Sequence, residues 1–434
     1  MTDYNAPRLA FCDSETIAAW QSRALVEEIT YLAAHSPFYR QLFAQHGIQP
    51  SKVQSLDDLR TIPTTAKSDL QNHAAQFLCV PPAEISDYVT TSGTLGEPVT
   101  FALTESDLDR LAYNEAQSFA IAGCTAADRL QLMTTLDRRF MAGMAYYLGA
   151  RRLRMGVARV GNGIPALQWD TLLHLQPTTC IVVPSFLLSL VDFAEEHGID
   201  WHASSLRRAI CIGEGIRDPQ LHLSPLGVRI HERWPELALY STYASTEMQS
   251  AFTECQCQCG GHLQPELLIA EFLDDNGEPV PEGTPGELVI TTIGVRGMPL
   301  LRFRTGDICQ YYTEPCACGR HSLRVSPLFG RKGQMIKFKG TSLYPPALYD
   351  VLDNVDGIET YVVEAYTNAV GTDEVIVRIA VQAPSDDFVK QLKDLFRARV
   401  RVAPTIEFAT REYIEQLRQP PKSRKVQKFI DRRN

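Results

Sequence analysis

Three short segments gather the residue types that nucleotide and phosphate chemistry needs. The first, Tyr88-Val89-Thr90-Thr91-Ser92-Gly93-Thr94-Leu95-Gly96-Glu97-Pro98, carries five hydroxyl side chains and two glycines. Glycine lets the main chain approach a ligand and adopt positive φ, and hydroxyls with exposed backbone N–H groups can wrap a phosphate. No Gly-Lys-Ser/Thr follows, so it is not a Walker A loop, and its glycine spacing is not that of a dinucleotide fold. By itself it reads equally well as a Ser/Thr/Gly surface turn. The second segment, Tyr240-Ser241-Thr242-Tyr243-Ala244-Ser245-Thr246-Glu247, sets an aromatic ring, a hydroxyl and a carboxylate close together. A ring face can stack on a base, and a carboxylate can hold Mg²⁺; a strand end with a buried tyrosine is the plainer alternative. The third, Arg302-Phe303-Arg304-Thr305-Gly306-Asp307, places a carboxylate after a turn. That suits a ribose diol, or simply a β-turn with an Asp cap.

A fourth group has metal-ligand character. Cys255, Cys257, Cys259 and His262 lie together, and Cys316 and Cys318 follow downstream. Paired thiolates separated by a strand hairpin make a tetrahedral zinc cage. Without a metal the same knuckle would expose reactive thiols. The favoured ligands are Cys255, His262, Cys316 and Cys318, with Cys259 a close competitor and Cys257 a more distant one. Protein would fill all four positions, so the zinc would be structural. The remaining cysteines (Cys12, Cys79, Cys124, Cys180, Cys211 and Cys309) read as small buried apolar residues.

The chain that must position these groups has 434 residues, enough for two domains. A net charge of -9 argues against a nucleic-acid binder. No apolar run is long enough for a membrane span, and the polar start has no apolar signal core. A reducing cytoplasm is the expected compartment, in keeping with cysteines used for metal rather than disulfides. Helical spacing runs from Glu15 to Gln45, Ser55–Leu59 reads as a capped turn, another helix begins near Pro63, and Thr104 caps a helix to Ala122. From Arg129 to Val183, and on to Ile212, short apolar runs alternate with helical patterns, the mark of an α/β sheet with crossover helices. Between Leu267 and Tyr312 the texture becomes strand and turn: strands over Leu267–Phe272, Gly286–Thr292 and Asp307–Tyr312, with Asn276-Gly277 as a tight-turn signal. Beyond Gly330 the pattern predicts a strand at Met335–Phe338, a helix from Pro345 to Leu352, strands at Thr360–Tyr366 and Glu374–Val381, and a helix from Asp386 to Val400. The predicted fold class is therefore α/β. A large N-terminal α/β domain (1–329) would hold a β-rich zinc-binding subdomain (about 250–325), followed by a small, mobile α+β C-terminal domain (330–434).

In this order the segments resemble those of the adenylate-forming enzymes, and specifically the phenylacetate–CoA ligase family. The loop at 88–98 is similar to that family's phosphate-binding signature, Tyr243–Glu247 to its adenine-and-Mg segment, and Leu301–Asp307 to its ribose-binding segment. Gly330–Leu348 resembles the segment opening its C-terminal domain, and Lys425–Asp431 the stretch with its catalytic lysine. The resemblance implies ATP-dependent activation of an aromatic or arylacetic acid to an acyl-adenylate. Transfer to the thiol of coenzyme A follows, releasing AMP and pyrophosphate. A carrier-protein thiol or an amine is the alternative acceptor, and a zinc-stabilised, non-catalytic nucleotide-binding protein the distant alternative.

By the same resemblance, Lys425 would be the catalytic cation, offsetting charge that builds on the α-phosphate. Thr90, Thr91, Ser92, Gly93 and Thr94 would line the pyrophosphate side. Tyr243, with Ala244 beside it, would stack on adenine, Thr246 would bond the α-phosphate, and Glu247 would ligate Mg²⁺. Asp307 would accept from the ribose hydroxyls with Arg331 nearby. Gly213 and Glu214 would sit against adenine or the acid's ring. Phe140, Met141, Gly143 and Met144 would form the acyl pocket, with Arg138 and Arg139 ready to meet a polar substituent. The chain departs from the family at Leu95, where threonine is frequent. It also departs at Gly333 and Gln334, where acidic residues are frequent, which bears on which residue acts as hinge in a swing about Phe329–Gly333. Some family members carry a similar cysteine site. A homodimer is the assembly expected from base rates.

Overall fold

The computed structural model describes residues 9–91, 98–339, 341–368, 372–382, 384–419 and 426–433. The chain divides into two compact units. One comprises Met1–Thr91, Glu97–Thr305 and Cys309–Pro327; the other comprises Ser92–Gly96, Gly306–Ile308 and Leu328–Asn434.

The first unit begins with two helices, Ser14–His35 and Pro37–Gln45. The single helical stretch expected from Glu15 to Gln45 breaks at Ser36. Its hydroxyl accepts from the Tyr39 N–H, and Pro37 opens the new helix. The unit is built on a nine-stranded sheet. Strands Ala238–Ser245, Arg208–Cys211, Thr179–Val182, Arg129–Leu132 and Gly156–Arg159 lie side by side in that order, all parallel. Alternation along these strands decides the two cores. Cys180, Val182, Ala209, Cys211 and Leu239 point to one face, against Trp169, Leu187, Ile230 and Trp234. Leu130, Leu132, Ile181, Ile210 and Tyr240 point to the other, against Phe119 and Tyr146. Helices cover both faces, as parallel sheets require. On the far side of Ala238–Ser245 the sheet continues antiparallel through Ser250–Glu254, Gly261–His262, Arg324–Val325 and Tyr311–Tyr312. The single strand expected over 307–312 resolves into two, Phe303–Cys309 and Tyr311–Tyr312. Strands Leu268–Leu273 and Gly286–Thr292 pair antiparallel; the segment between them begins with the tight turn at Asn276-Gly277, where Gly277 takes a φ of 86° and the Val280 N–H returns to the Phe272 carbonyl.

One buried cation ties distant segments of this unit together. Arg110, on helix Glu105–Ile121, is fully buried. Its guanidinium donates to the carbonyls of Ile293 (2.7 Å), Gln249 (2.5 Å) and Leu267 (2.6 Å). The helix itself starts with a capping box between Thr104 and Asp107.

The second unit has a four-stranded sheet ordered Thr405–Phe408, Asp373–Val381, Ile358–Thr367, Phe429–Asp431. The central pair is antiparallel and both edge strands are parallel to their neighbours. Helices Pro345–Leu352 and Asp386–Val400 bury Leu348, Val351, Leu352, Leu392 and Phe396 against it. A short hairpin, Ile336–Phe338 with Thr341–Leu343, adds Ile336, Phe338 and Leu343 to the same core. Gly330 is obligatory for two reasons. Its φ is 151°, and a Cβ there would lie 2.6 Å from the Tyr344 Cβ. Among the described residues no helix is long and apolar enough to cross a membrane.

Candidate active site and metal centre

The loop at 88–98 opens from a hairpin, Ile85–Thr90 with Thr100–Thr104. Thr91 closes its base: the Thr91 N–H donates to the Val99 carbonyl (2.9 Å), and its hydroxyl accepts from the Val99 N–H (3.0 Å). Thr90 and Thr91 are both buried. Ser92, Gly93 and Thr94, the remaining loop candidates, lie outside the described residues, as do Leu95 and Lys425. The Thr90 N–H donates to the Arg139 carbonyl at 3.0 Å, fastening the loop base to the proposed acyl segment. There Arg138 and Arg139 take consecutive left-handed conformations (φ 58° and 57°). Strain of this kind, held by surrounding structure, concentrates at working sites.

Phe140 is the N-cap of helix Met141–Arg152; Met141 is buried and Phe140 and Met144 half-buried. Gly143, in the same segment, has no room for a side chain, since a Cβ would lie 1.9 Å from the Thr135 carbonyl oxygen. The glycine lets the helix close on the preceding loop.

Tyr243, Ala244, Thr246 and Glu247 occupy the end of the hairpin formed by Ala238–Ser245 and Ser250–Glu254. Tyr243 lies opposite Phe252, the rings stacked at 5.8 Å with 15° between planes, so one ring face is already covered. The Ser245 hydroxyl accepts from the Met248 N–H at 3.2 Å, shaping a turn that keeps Ala244 exposed and Thr246 and Glu247 half-exposed. The neighbouring parallel strand, Arg208–Cys211, ends beside Ser241. It delivers Gly213 (φ 79°) and Glu214 to the same carboxyl edge of the sheet, where open α/β sheets bind ligands. Glu214 has a local task as well. Its carboxylate accepts from the Ser185 N–H (3.0 Å) and hydroxyl (3.1 Å) at the start of helix Pro184–His197, where a negative charge meets the positive end of the helix dipole.

Asp307 and Arg331 pair directly. They face each other across two antiparallel strands, with Arg331 Nε 3.0 Å from Asp307 Oδ1. Asp307 is buried, and Arg331 is more than a third exposed.

The cysteine centre assembles at the antiparallel end of the large sheet. The ligand atoms of Cys255, His262, Cys316 and Cys318 all lie within 4.8 Å of one another. Cys255 Sγ is 3.6 Å from Cys316 Sγ, and Cys318 Sγ is 3.6 Å from His262 Nε2. Cys259 Sγ, 3.4 Å from Cys316 Sγ, stands at the edge of the group, while Cys257 is exposed. The donors fit a zinc ion. Burial, aided by Arg320 and Arg324, pushes His262 down to about 3, so its imidazole is neutral. Burial opposes ionisation of Cys316. Even so, the Cys318 N–H and the neighbouring Cys259, Cys318 and Cys255 thiols hold it down to about 7. His262 Nδ1 is buried without a hydrogen-bond partner among the described residues.

With this geometry in hand, comparison with known proteins is decisive at the family level. The profile of the AMP-binding enzymes matches residues 14–297. The chain belongs to the AMP-binding enzyme family. Its relatives include the phenylacetate-coenzyme A ligase of Thermus thermophilus, 29% identical over 92% of this chain and 92% of that protein. The phenylacetate-coenzyme A ligase of Pseudomonas putida is also 29% identical, over 80% of this chain and 78% of its own. A crystal structure of 2-hydroxyisobutyryl-CoA ligase in the postadenylation state, in complex with R3-HIB-AMP, superposes with a TM-score of 0.84. It is 23% identical, covering 98% of this chain and 91% of that one. ATP-bound MatB from Rhodopseudomonas palustris gives 0.57 at 16% identity, over 76% and 65%. These structural likenesses establish the adenylate-forming fold that the sequence resemblance implied.

Within this family fold, the structure adds a pair that the sequence did not single out. Arg217 and Glu254, both buried, form an ion pair with Nε 2.7 Å from Oε1. Glu254 Oε2 also accepts from the Ser241 N–H at 2.8 Å. Arg217 lies just beyond Gly213–Gly215, and Cys255 follows Glu254, so the pair links that glycine loop to the strand entering the cysteine centre. Charge inside a strand-and-loop pattern carries no periodicity, and only the adjacency of Glu254 to Cys255 hinted at a special position.

Proposed function

We propose that the protein is an ATP-dependent acid–thiol ligase. A carboxylate oxygen attacks the α-phosphorus of ATP and pyrophosphate leaves, giving an acyl-adenylate. The sulfur of coenzyme A then attacks the acyl carbon, the carbon–oxygen bond to the phosphate breaks, AMP leaves, and the thiol proton passes to solvent. An aromatic or arylacetic acid is the assigned substrate class. The observation that carries the reading is the carboxyl edge of the parallel sheet in an AMP-binding family member, where one hairpin end presents Tyr243, Thr246 and Glu247 beside the Gly213-Glu214 loop.

In this reading Tyr243 offers its ring to adenine, opposite the face held by Phe252, and Thr246 donates to the α-phosphate. Glu247 would hold Mg²⁺, which supplies charge neutralisation at the phosphates when bound. Thr90 and Thr91 fix the base of the pyrophosphate loop formed with Ser92, Gly93 and Thr94, and Asp307, oriented by Arg331, accepts from ribose. Lys425 supplies the cation for adenylation from a C-terminal domain spanning 330–434. Phe140, Met141 and Met144 border the acyl group. Cys255, His262, Cys316 and Cys318 would hold a structural zinc, with Cys259 competing for one place. The chain is also assigned as a cytoplasmic homodimer, which light scattering of the purified protein tests.

Acid-dependent exchange of pyrophosphate into ATP, across a panel of aryl, arylacetic and heteroaryl acids, tests the first step. Product analysis with coenzyme A, a carrier protein or an amine tests the second. Failure to exchange with any acid in the panel refutes the proposal.

A further inference from the structure

Lys428 occupies a closed setting in the second unit, a short way along the chain from Lys425. Its Nζ lies 3.2 Å from Asp353 Oδ2 and stands over two tyrosine rings, 5.6 Å from the Tyr349 centroid and 5.2 Å from that of Tyr361. The Tyr361 hydroxyl donates to Asp353 Oδ1 at 2.7 Å. Tyr349 and Asp353 belong to helix Pro345–Leu352 and its C-cap, and Tyr361 to strand Ile358–Thr367. The Lys428 and Asp353 side chains are only 26% and 22% exposed.

Packing alone does not call for these charges. A carboxylate at a helix C-terminus meets the negative end of the dipole, and a shielded ammonium gives up hydration. A methionine would fill the space between the rings without that cost. What the charges add is a fixed place for one point of the chain, held by a pair and two ring faces. The main chain is fastened at the same point. The Lys428 carbonyl accepts from the Val363 N–H at 2.9 Å, and the Gln427 N–H donates to the Arg418 carbonyl at 2.8 Å. Beyond Lys428, Phe429–Asp431 pairs with strand Ile358–Thr367, and Arg432, 2.7 Å from Glu364, holds the far end. Lys428 thus anchors the near end, the one that leads back to Lys425. The three residues from Lys425 to Lys428 span at most about 11 Å when fully extended, so fixing Lys428 restricts where Lys425 can stand.

We propose that Lys428 is a positioning residue: held by Asp353, Tyr349 and Tyr361, it fixes the chain that presents Lys425 to the α-phosphate and does not itself touch ATP. This rests on the reading of Lys425 as the cation for adenylation. The test measures two half-reactions separately, with phenylacetate or the fastest acid of the panel. One is acid-dependent pyrophosphate exchange; the other is thioester formation from the pre-formed acyl-adenylate and coenzyme A. Wild type, Lys428→Met, Lys428→Arg, Asp353→Asn and Lys425→Ala are compared. A misplacement of about 1 Å can cost about 100-fold, so Lys428→Met should lower kcat for exchange by at least about tenfold. The KM for ATP and the rate of thioester formation should stay at wild-type values, a pattern that loss of the fold does not produce. Lys428→Arg keeps the charge and the ring contacts and should recover most of the rate. Asp353→Asn keeps an acceptor for Tyr361 and should slow exchange in the same pattern by a smaller factor, which carries the test if Lys428→Met fails to fold. Exchange unaffected in Lys428→Met or Asp353→Asn, no recovery in Lys428→Arg, or both half-reactions falling together overturns the inference. Lys425→Ala inactive in exchange beside a fully active Lys428→Met overturns the inference alone. Normal exchange by Lys425→Ala, or a wild type inert with every acid, removes the underlying reading and the inference with it.

Discussion

Removing one member of the Arg217–Glu254 pair should cost far more than removing both. The two groups touch at 2.7 Å, with side chains 5% and 2% exposed, so water can do little to solvate a charge left alone. Glu254→Gln keeps the shape and an acceptor for the Ser241 N–H but strands the guanidinium, whose Nη2 already lacks a partner among the described residues. Arg217→Met strands the carboxylate. Breaking a buried pair from one side costs about 3–5 kcal/mol, whereas replacing both ions is often close to neutral. The double variant should therefore lose only ~1–2 kcal/mol. The protein's four tryptophans, Trp20, Trp169, Trp201 and Trp234, all lie in the first unit. Tryptophan fluorescence during urea unfolding thus follows the unit that contains the pair. Single variants whose losses add to that of the double variant, within about 0.5 kcal/mol, would falsify the argument. Because Arg217 anchors the Gly213–Gly215 loop, the KM for ATP in the exchange reaction should rise in both single variants and recover in the double.

Four further outcomes are expected. Gly143→Ala should lower unfolding stability by about 1–3 kcal/mol, because its Cβ meets a main-chain oxygen that cannot rotate away; a thermal melt matching wild type would contradict this. Burial raises Glu28 to about 7 and Glu115 to about 8. Folded-state values above the unfolded one mean stability present at low pH and lost as pH rises through the folded values. The protein should therefore be less stable at pH 8 than at pH 5.5, and Glu28→Gln should flatten the curve measured by urea titration. Purified protein should contain zinc in equimolar amount by atomic emission. Cys316→Ser should lower that content and the melting temperature together, whereas full metal loading with Cys316 and Cys318 both replaced would refute the site. Lys425→Ala should depress acid-dependent pyrophosphate exchange by at least about 100-fold; exchange left intact with only thiol transfer slowed would remove Lys425 from adenylation.

What could be read from the sequence followed period and punctuation. Alternating apolar runs separated by helical stretches gave the parallel sheet. Helix Asp386–Val400 starts where the Ser385 hydroxyl caps it, and helix Pro345–Leu352 where Pro345 opens it. The cysteine cluster was legible because metal ligands need particular residue types, whatever their surroundings. Other features depend on distant contacts that leave no local mark. Ser36 breaks a long helical stretch because its hydroxyl caps the next helix. Nothing near Gly143 in the sequence shows that the Thr135 carbonyl lies against it. Glu214 carries no sign in the sequence that its carboxylate also accepts from Ser185. Tyr243 could be assigned to stacking from sequence, but the identity of its protein neighbour, Phe252, required the strand register.

Arg110 has a consequence for how the chain reaches its native state. Its three carbonyl acceptors lie 139, 157 and 183 residues further along the chain. No local fragment can satisfy the guanidinium, and burying it without those partners would be heavily unfavourable. The arginine therefore acts as a checkpoint in folding. Helix Glu105–Ile121 can form early, but its docking has to wait until the segments around residues 249, 267 and 293 have all arrived, which places the closing of this unit among the slow, long-range events of folding.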